Sequence, residues 1–84
     1  MPNFREQIYN LISKQLGVEV EKITPEAHFA EDLNAGDLEM EELIAHLQKD
    51  FGVEFDPVKT EKIEAVDDLV HLVLDKLNEL PDEE

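Results

Sequence analysis

Residues 36–52 read GDLEMEELIAHLQKDFG and predict a helix over about 37–51. Apolar side chains recur every three or four positions in this stretch, which places them along one face of a helix. Gly52 ends the pattern, because glycine readily takes the left-handed conformation that closes a helix. The side chains expected to face the interior are Met40, Leu43, Ile44, Leu47 and Phe51.

Three further helical segments flank this helix. The first begins after Asn3, a preferred N-cap residue with Glu6 three positions later, and it ends at Gly17. A short segment over about 56–63 opens with a capping aspartate followed by proline. The last helix runs over about 66–80, and no clear strand is present.

The connection over residues 17–36 is long for a structureless loop. Thr24-Pro25-Glu26 has the form of a helix cap followed by proline at the first helical position, and it predicts a helix start there. We expect the connection to pack on the helices, because it carries apolar side chains of its own. These are Val18, Val20, Ile23, Phe29 and Leu33.

The sequence thus predicts an all-α protein with one domain over residues 1–80 and an acidic tail over 81–84. The expected architecture is a four-helix bundle of three longer helices and one short helix. The expected core consists of Phe4, Ile8, Ile12, Leu16, Phe29, Leu33, Leu43, Leu47, Phe51, Ile63, Val66, Leu69 and Val73.

The charge of the chain restricts its partners. It has 22 Asp and Glu against 7 Lys and Arg, which gives a net charge of −15. Such a chain repels nucleic acid and anionic membranes, so we expect a basic protein surface or cations instead. No stretch approaches the roughly 20 apolar residues of a membrane span, and no apolar leader begins the chain. These features predict a cytoplasmic protein, in the cytosol or an organelle matrix. We also expect it to be a monomer.

Nothing in the sequence indicates an enzyme or a metal site. There is no cysteine, and His28, His46 and His71 lack the spacing of a helical metal site. The single serine, Ser13, has no nucleophile-elbow context, so no catalytic residue is predicted. The segment over 32–37 begins like a calcium loop but lacks its glycine and its closing glutamate. Loose divalent-ion binding by clustered carboxylates stays open.

A series of short motifs, in order along nearly the whole chain, resembles acyl carrier proteins. They are QLGV (15–18), ITPEA (23–27), FAEDL (29–33), EL (42–43), FGVEF (51–55), EKI (61–63) and VDDLV (66–70). The resemblance implies an acyl-carrier-protein-like four-helix bundle. It also implies a phosphopantetheine group on a serine that begins the second helix, and enzymes of fatty-acid or polyketide synthesis as partners.

The chain departs from the family at that serine. The family's tripeptide is Asp-Ser-Leu, and the matching residues here are Gly36, Asp37 and Leu38. A carboxylate has no hydroxyl to attack the pyrophosphate of coenzyme A, so this departure from the family predicts that phosphopantetheine is absent. Asp37 is then either an N-cap or first-turn acid of the helix, or a permanent mimic of the negative, phosphate-bearing position.

The second helix also carries the residues through which the family docks on its enzymes. The resemblance assigns docking to Glu39, Glu41, Glu42, Lys49 and Asp50. Glu41 stands where the family has an apolar contact, and Gln48 and Lys49 stand where it has acids. We therefore expect the set of partners to differ from that of a typical carrier.

Three functions fit these residues. The leading hypothesis is a non-carrying interaction module in or near fatty-acid or polyketide metabolism. The alternative is a working carrier modified at an unusual hydroxyl, and the hydroxyls available are those of Tyr9, Ser13, Thr24 and Thr60. The second alternative is an acidic decoy or cation-binding protein. Because no chain would be carried, we also expect a filled interior near Met40, Ile44 and Leu72.

Overall fold

The computed structural model describes residues 3–79, without the side chain of residue 79. Its elements are α1 (Phe4–Leu16), a short 3-10 helix (Val20–Lys22), α2 (Asp37–Phe51), α3 (Pro57–Thr60) and α4 (Val66–Glu79). No strand occurs in this range. The all-α architecture of three longer helices and one short helix is therefore confirmed. The predicted domain end at residue 80 and the acidic tail lie outside the described residues.

The helices begin and end at or near the residues that predict their ends. The amide of Glu6 donates to the Asn3 side chain at 2.8 Å, and α1 closes at Gly17 with φ of 69°. Gly52 closes α2 in the same left-handed conformation. The amide of Val58 donates to the capping Asp56 carboxylate at 2.9 Å, but α3 stops at Thr60 rather than near residue 63.

The connection between α1 and α2 packs on the helices mainly through its apolar side chains. Ile23, Phe29 and Leu33 are buried, as predicted, whereas Val20 is exposed and Val18 is half-buried. The burial predicted for Val20 is therefore wrong. Its place in a surface 3-10 turn accounts for the difference, because that turn buries none of its residues.

The helix start predicted at Thr24 is also wrong. The amide of Ala27 donates to the carbonyl of Thr24 and closes a single turn there. Beyond that turn the backbone runs beside the start of α4: the amide of Phe29 donates to Glu64, and that of Val66 donates to Ala27, both at 2.9 Å. If a helix continued past Thr24, the hydrogen bonds of Phe29 with Glu64 and of Val66 with Ala27 could not form.

The core collects one stripe from each longer helix and several residues from the connections. The buried apolar residues are Ile8, Ile12, Ile23, Ala27, Phe29, Leu33, Ala35, Leu43, Leu47, Val53, Phe55, Val66, Leu69, Val70 and Val73. The prediction for Phe4 is wrong, since it begins α1 and stays 46% exposed, with its ring in an edge-to-face contact with that of Phe51. Leu16, Phe51 and Ile63 are half-buried rather than buried.

Gln48 holds the exit of α2 in place. Its side-chain oxygen accepts the amide of Phe55 at 2.9 Å, and the amide of Val53 donates to the Gln48 carbonyl at 3.1 Å. These two bonds bring Val53 and Phe55 back onto the core. An acid at position 48 would also accept the amide, so the glutamine keeps this bond while removing a charge from the acidic helix.

No helix in the described part of the chain is both long enough and apolar enough to cross a lipid bilayer. The packing of α1 on α4 is supplemented at the surface by an ion pair between Arg5 and Asp67, with 3.3 Å between Nη1 and Oδ1. Both side chains are more than one-third exposed. Such a pair contributes little to stability, so burial of the apolar stripes holds the helices together.

Asp68 closes the first turn of α4 from its third position. Its Oδ2 accepts the amides of Glu64 and Ala65, each at 3.0 Å, as in a capping box. The hydrogen bond from Ala65, and then that from Glu64, hold the pKa of the Asp68 carboxyl below its ordinary value. The electrostatic effect of His28 and His71 also lowers the pKa of Asp68.

Replacement of Asp68 by alanine is expected to lower the free energy of unfolding at pH 7 by about 0.5–1 kcal/mol, because two backbone amides lose their acceptor. The pKa is lower in the folded state, so the charged group stabilises the fold fully above about pH 4 and loses this effect as the pH falls through the folded value. Urea unfolding of both proteins from pH 7 into the acid range measures this difference.

The matched control is Asp75→Ala, which removes an exposed acid from the same helix. It should change the unfolding free energy by less than about 0.5 kcal/mol. The difference in unfolding free energy between the wild type and Asp68→Ala should become smaller at acid pH. A difference in unfolding free energy that stays constant with pH would show that the charge of Asp68 has no part in closing α4.

Candidate functional site

The start of α2 is closed by its own backbone and by Glu39. Gly36 is the N-cap in an extended conformation, and its carbonyl accepts the amide of Met40 at 2.9 Å. The amide of Gly36 donates to Glu39 Oε1 at 3.0 Å. Of the two structural positions predicted for Asp37, the N-cap is therefore wrong, because Gly36 takes that place, and the first turn is observed.

Asp37 is the first residue of α2 and is exposed. Its carboxylate makes no hydrogen bond or ion pair with any described residue, and it lies at the positive end of the helix dipole. No hydroxyl side chain occurs in this first turn, which continues with Leu38, Glu39 and Met40. Leu38, the other predicted neighbour, is 63% exposed. The site therefore offers solvent a carboxylate beside an apolar side chain.

Two open grooves meet at Asp37. The first has a volume of about 350 Å³ and lies towards the connection before α2, and the second has about 520 Å³ and lies towards α3. Asp37, Met40 and Ile63 line both. The first is also lined by His28, Phe29, Ala30, Glu31, Ala35 and Glu64, and the second by Glu41, Ile44, Pro57, Thr60 and Glu61.

These grooves bear on the filled interior expected near Met40 and Ile44. Both side chains are half-buried and line open space rather than closing it. Volumes above about 300 Å³ are those of ligand pockets, so the grooves count against that expectation. Leu72 lines a separate groove between α3 and α4.

The hydroxyl groups differ in how far they are engaged. Ser13 Oγ donates to the carbonyl of Val18 at 2.6 Å at the end of α1, and Tyr9 accepts a hydrogen bond from Arg5. Thr60 Oγ1 donates to the carbonyl of Pro57 at 2.9 Å. Thr60 also lines the groove that contains Asp37, a position that the sequence pattern did not indicate.

The residues predicted to dock on a partner fall on two sides of α2. Successive residues turn by about 100°, so four of them lie within about 100° of arc and form what we call the acidic face: Glu39, Glu42, Lys49 and Asp50. All four are exposed. His46 lies exposed on the same arc, although the resemblance assigns it no part in docking. Glu41 lies apart, where it lines the groove beside α3.

The calcium-loop segment does not bring its acids together. Asp32 Oδ2 accepts the amide of His28 at 2.8 Å, which commits this carboxylate to the turn before α2. Within residues 3–79, no three His, Cys, Asp or Glu side chains are grouped so that they could hold a metal ion.

Two comparisons with known proteins bear on this site. The chain matches a family described as "Phosphopantetheine attachment site" over residues 6–73. It is also 42% identical over 72 residues to the acyl carrier protein of Thermosynechococcus vestitus (strain NIES-2133 / IAM M-273 / BP-1). That match covers 86% of this chain and 89% of the relative. Both matches extend across α2, so they include the site at Asp37.

Replacement of Glu39 by alanine is expected to lower the free energy of unfolding by about 0.5–1 kcal/mol, since the amide of Gly36 loses its acceptor. Glu42→Ala removes the same charge from a neighbouring turn without breaking a described hydrogen bond. It should change stability by less than about 0.5 kcal/mol. Urea unfolding at pH 7 compares the two, and equal losses would mean that only charge, and not the cap, is involved.

Proposed function

The chain belongs to the phosphopantetheine-binding (acyl carrier protein) family, and we propose that it is a member that carries no phosphopantetheine. Proteins of this family are carriers rather than enzymes, and they normally bear that prosthetic group. In the proposal, Asp37 holds the position of the attachment serine between Gly36 and Leu38. The protein then acts as an interaction module in or near fatty-acid or polyketide metabolism.

The observation that carries the proposal is the chemistry at the head of α2. Attachment of phosphopantetheine requires a hydroxyl, whose oxygen forms a phosphodiester, and Asp37 provides only a carboxylate, which cannot form one. The residues present therefore do not fit the group. The start of the helix is stable without the family's tripeptide, because Glu39 and the Gly36 amide close it. In the proposal, the absence of the serine therefore leaves the start of α2 closed.

The remaining hydroxyls support one alternative, a working carrier modified at an unusual position. Thr60 favours it, because this hydroxyl lines the groove beside Asp37. Its hydrogen bond to the Pro57 carbonyl and its place on the four-residue α3 argue against it, since a transferase would have to accept a different helix. Ser13 lies within α1 and donates to the Val18 carbonyl, so it is a poorer candidate.

The interaction role rests on the acidic face of α2. Glu39, Glu42 and Asp50 present three carboxylates on one exposed arc, with Lys49 as the single cation among them. A basic surface on a partner enzyme or assembly factor would complement this arrangement. Lys49 would oppose a uniformly basic surface, so the favoured partner has an acid or a neutral side chain at that point. The second alternative, an acidic decoy, would need no such match.

Mass spectrometry tests the non-carrying claim. We expect no mass gain when the wild-type protein is incubated with coenzyme A and a broad-specificity phosphopantetheinyl transferase. The double variant Gly36→Asp/Asp37→Ser restores the family's tripeptide and should gain one phosphopantetheine. The two proteins differ only at residues 36 and 37 and in the shift of the Glu39 side chain that a Cβ on residue 36 requires, so modification of the double variant shows that the transferase recognises the fold.

A mass gain by the wild-type protein would refute the claim. Peptide mapping, with Thr60→Ala as a further variant, would then locate the group and decide for the alternative carrier. If the double variant also stays unmodified, the missing hydroxyl is not sufficient to explain the lack of attachment, and the claim that it alone decides is wrong.

Charge reversal tests the docking claim. The variant Glu42→Lys/Asp50→Lys should weaken capture of a dominant partner from native extract by at least about tenfold, because like charges would face each other. The matched control, Glu19→Lys/Glu21→Lys, makes the same change of net charge on the exposed segment after α1 and should keep that partner. Equal losses in both variants, with broad loss on adding salt, would favour the decoy.

A further inference from the structure

Grooves on the described surface differ in the charges that line them. Each of the two grooves beside Asp37 has three carboxylates and no lysine or arginine. A third groove, of about 270 Å³, lies between α4 and the segment from α3 to residue 63. We call it the lysine groove, and it is lined by Lys59, Lys62, Ile63, Asp68, His71 and Leu72. Its lysines outnumber its carboxylate, on a chain of net charge −15.

The two lysines of this groove are available to a ligand. Neither Lys59 nor Lys62 forms an ion pair with a carboxylate among the described residues, although the chain has 22 acids. The one acid in the lining, Asp68, directs Oδ2 to the amides of Glu64 and Ala65. His71 faces Asp67, with 3.4 Å between Nδ1 and Oδ2. An anion could therefore contact both ammonium groups without displacing a described partner.

The rest of the lining is apolar. Ile63 and Leu72 are half-buried side chains that pack on the core and expose their remaining surface to this groove. The alkyl stems of Lys59 and Lys62 add to that surface while their charged ends stay in solvent. A ligand that complements the groove thus has a negative end and a short apolar part.

We propose that the lysine groove binds a small, soluble monoanion with a short alkyl chain. Its anionic head lies between the ammonium groups of Lys59 and Lys62, and its alkyl chain lies along Ile63 and Leu72. The groove's volume of about 270 Å³ is slightly below the range of pockets for drug-sized ligands, so the ligand must be small. The inference does not depend on the proposed function, because it concerns a different groove whose lining residues, apart from Ile63, do not line the grooves at Asp37.

The charge of the whole protein selects a single negative charge on the ligand. Two ammonium groups attract an anion over roughly one Debye length, about 10 Å at 0.1 M salt. Each further negative charge on the ligand would add to the repulsion from a protein of net charge −15, while only two ammonium groups are there to attract it. A monoanion gains the local attraction with the least opposing repulsion.

Octanoate is the probe, titrated into the ¹⁵N-labelled full-length protein at pH 7 and constant ionic strength. We expect saturable shifts of the backbone amides of Ile63, His71 and Leu72. Octylammonium carries the same chain with the opposite charge, and acetate carries the same head without the chain. Both should bind at least about tenfold more weakly than octanoate, or not at all.

Two double variants separate the groove from bulk charge. Lys59→Gln/Lys62→Gln should weaken octanoate binding at least about threefold, as expected for the loss of two exposed charge contacts. Lys14→Gln/Lys22→Gln removes two positive charges from other grooves and should bind octanoate as the wild type does. Unchanged spectra outside the substituted residues confirm that each variant is folded.

Four results would overturn the proposal. They are the absence of saturable binding by octanoate, equal weakening in both double variants, octylammonium binding as tight as octanoate binding, and shifts centred on Met40 and Ile44 instead of the lysine groove. Saturable shifts at the lysine groove that only Lys59→Gln/Lys62→Gln weakens would support it.

Discussion

The arrangement of this protein depends on a short backbone pairing between the α1–α2 connection and the start of α4. The amides of Phe29, Val66 and Asp67 donate to the carbonyls of Glu64, Ala27 and Pro25 at 2.9 to 3.0 Å. Buried backbone groups must be paired, so these bonds allow Phe29 and Leu33 to enter the core from a segment that is not helical. The connection that makes this pairing continues to Gly36, the N-cap of α2.

The proposed loss of the prosthetic group is compatible with this fold because the closure of α2 does not use the missing residues. In the family's tripeptide the acid precedes the serine, and an acid there would be a good N-cap. Here residue 36 has no side chain to accept the helix amides, and the start of α2 keeps the bond from the Gly36 amide to Glu39. A Cβ atom on residue 36 would lie 2.8 Å from Glu39 Oε1, so the glycine leaves room for that bond. Fold and attachment chemistry are thus separable, as sites on a common fold often are.

Charge divides the surface into regions with different expected ligands. The acidic face of α2 and the two grooves at Asp37 concentrate carboxylates, whereas the lysine groove holds two lysines on the side of α3 that faces α4. The short α3 separates these regions, with Thr60 and Glu61 lining a groove beside α2 and Lys59 lining the lysine groove. These regions adjoin one another, since Ile63 lines all three grooves, and they differ in the sign of the charged side chains around them.

The sequence alone determined the helices and the chemistry at Asp37. Helix periodicity and end signals at Asn3, Gly17, Gly52 and Asp56 depend on neighbouring residues only, so they could be read without the fold, and α2 was found at its observed bounds. The absence of a hydroxyl at residue 37 is likewise a property of the residue itself. Tertiary structure decided what depends on distant partners. The backbone pairing with the start of α4 prevents a helix at Thr24. The segment after α2 buries Val53 and Phe55. Lys59 and Leu72 line one groove because the tertiary structure brings α3 beside α4.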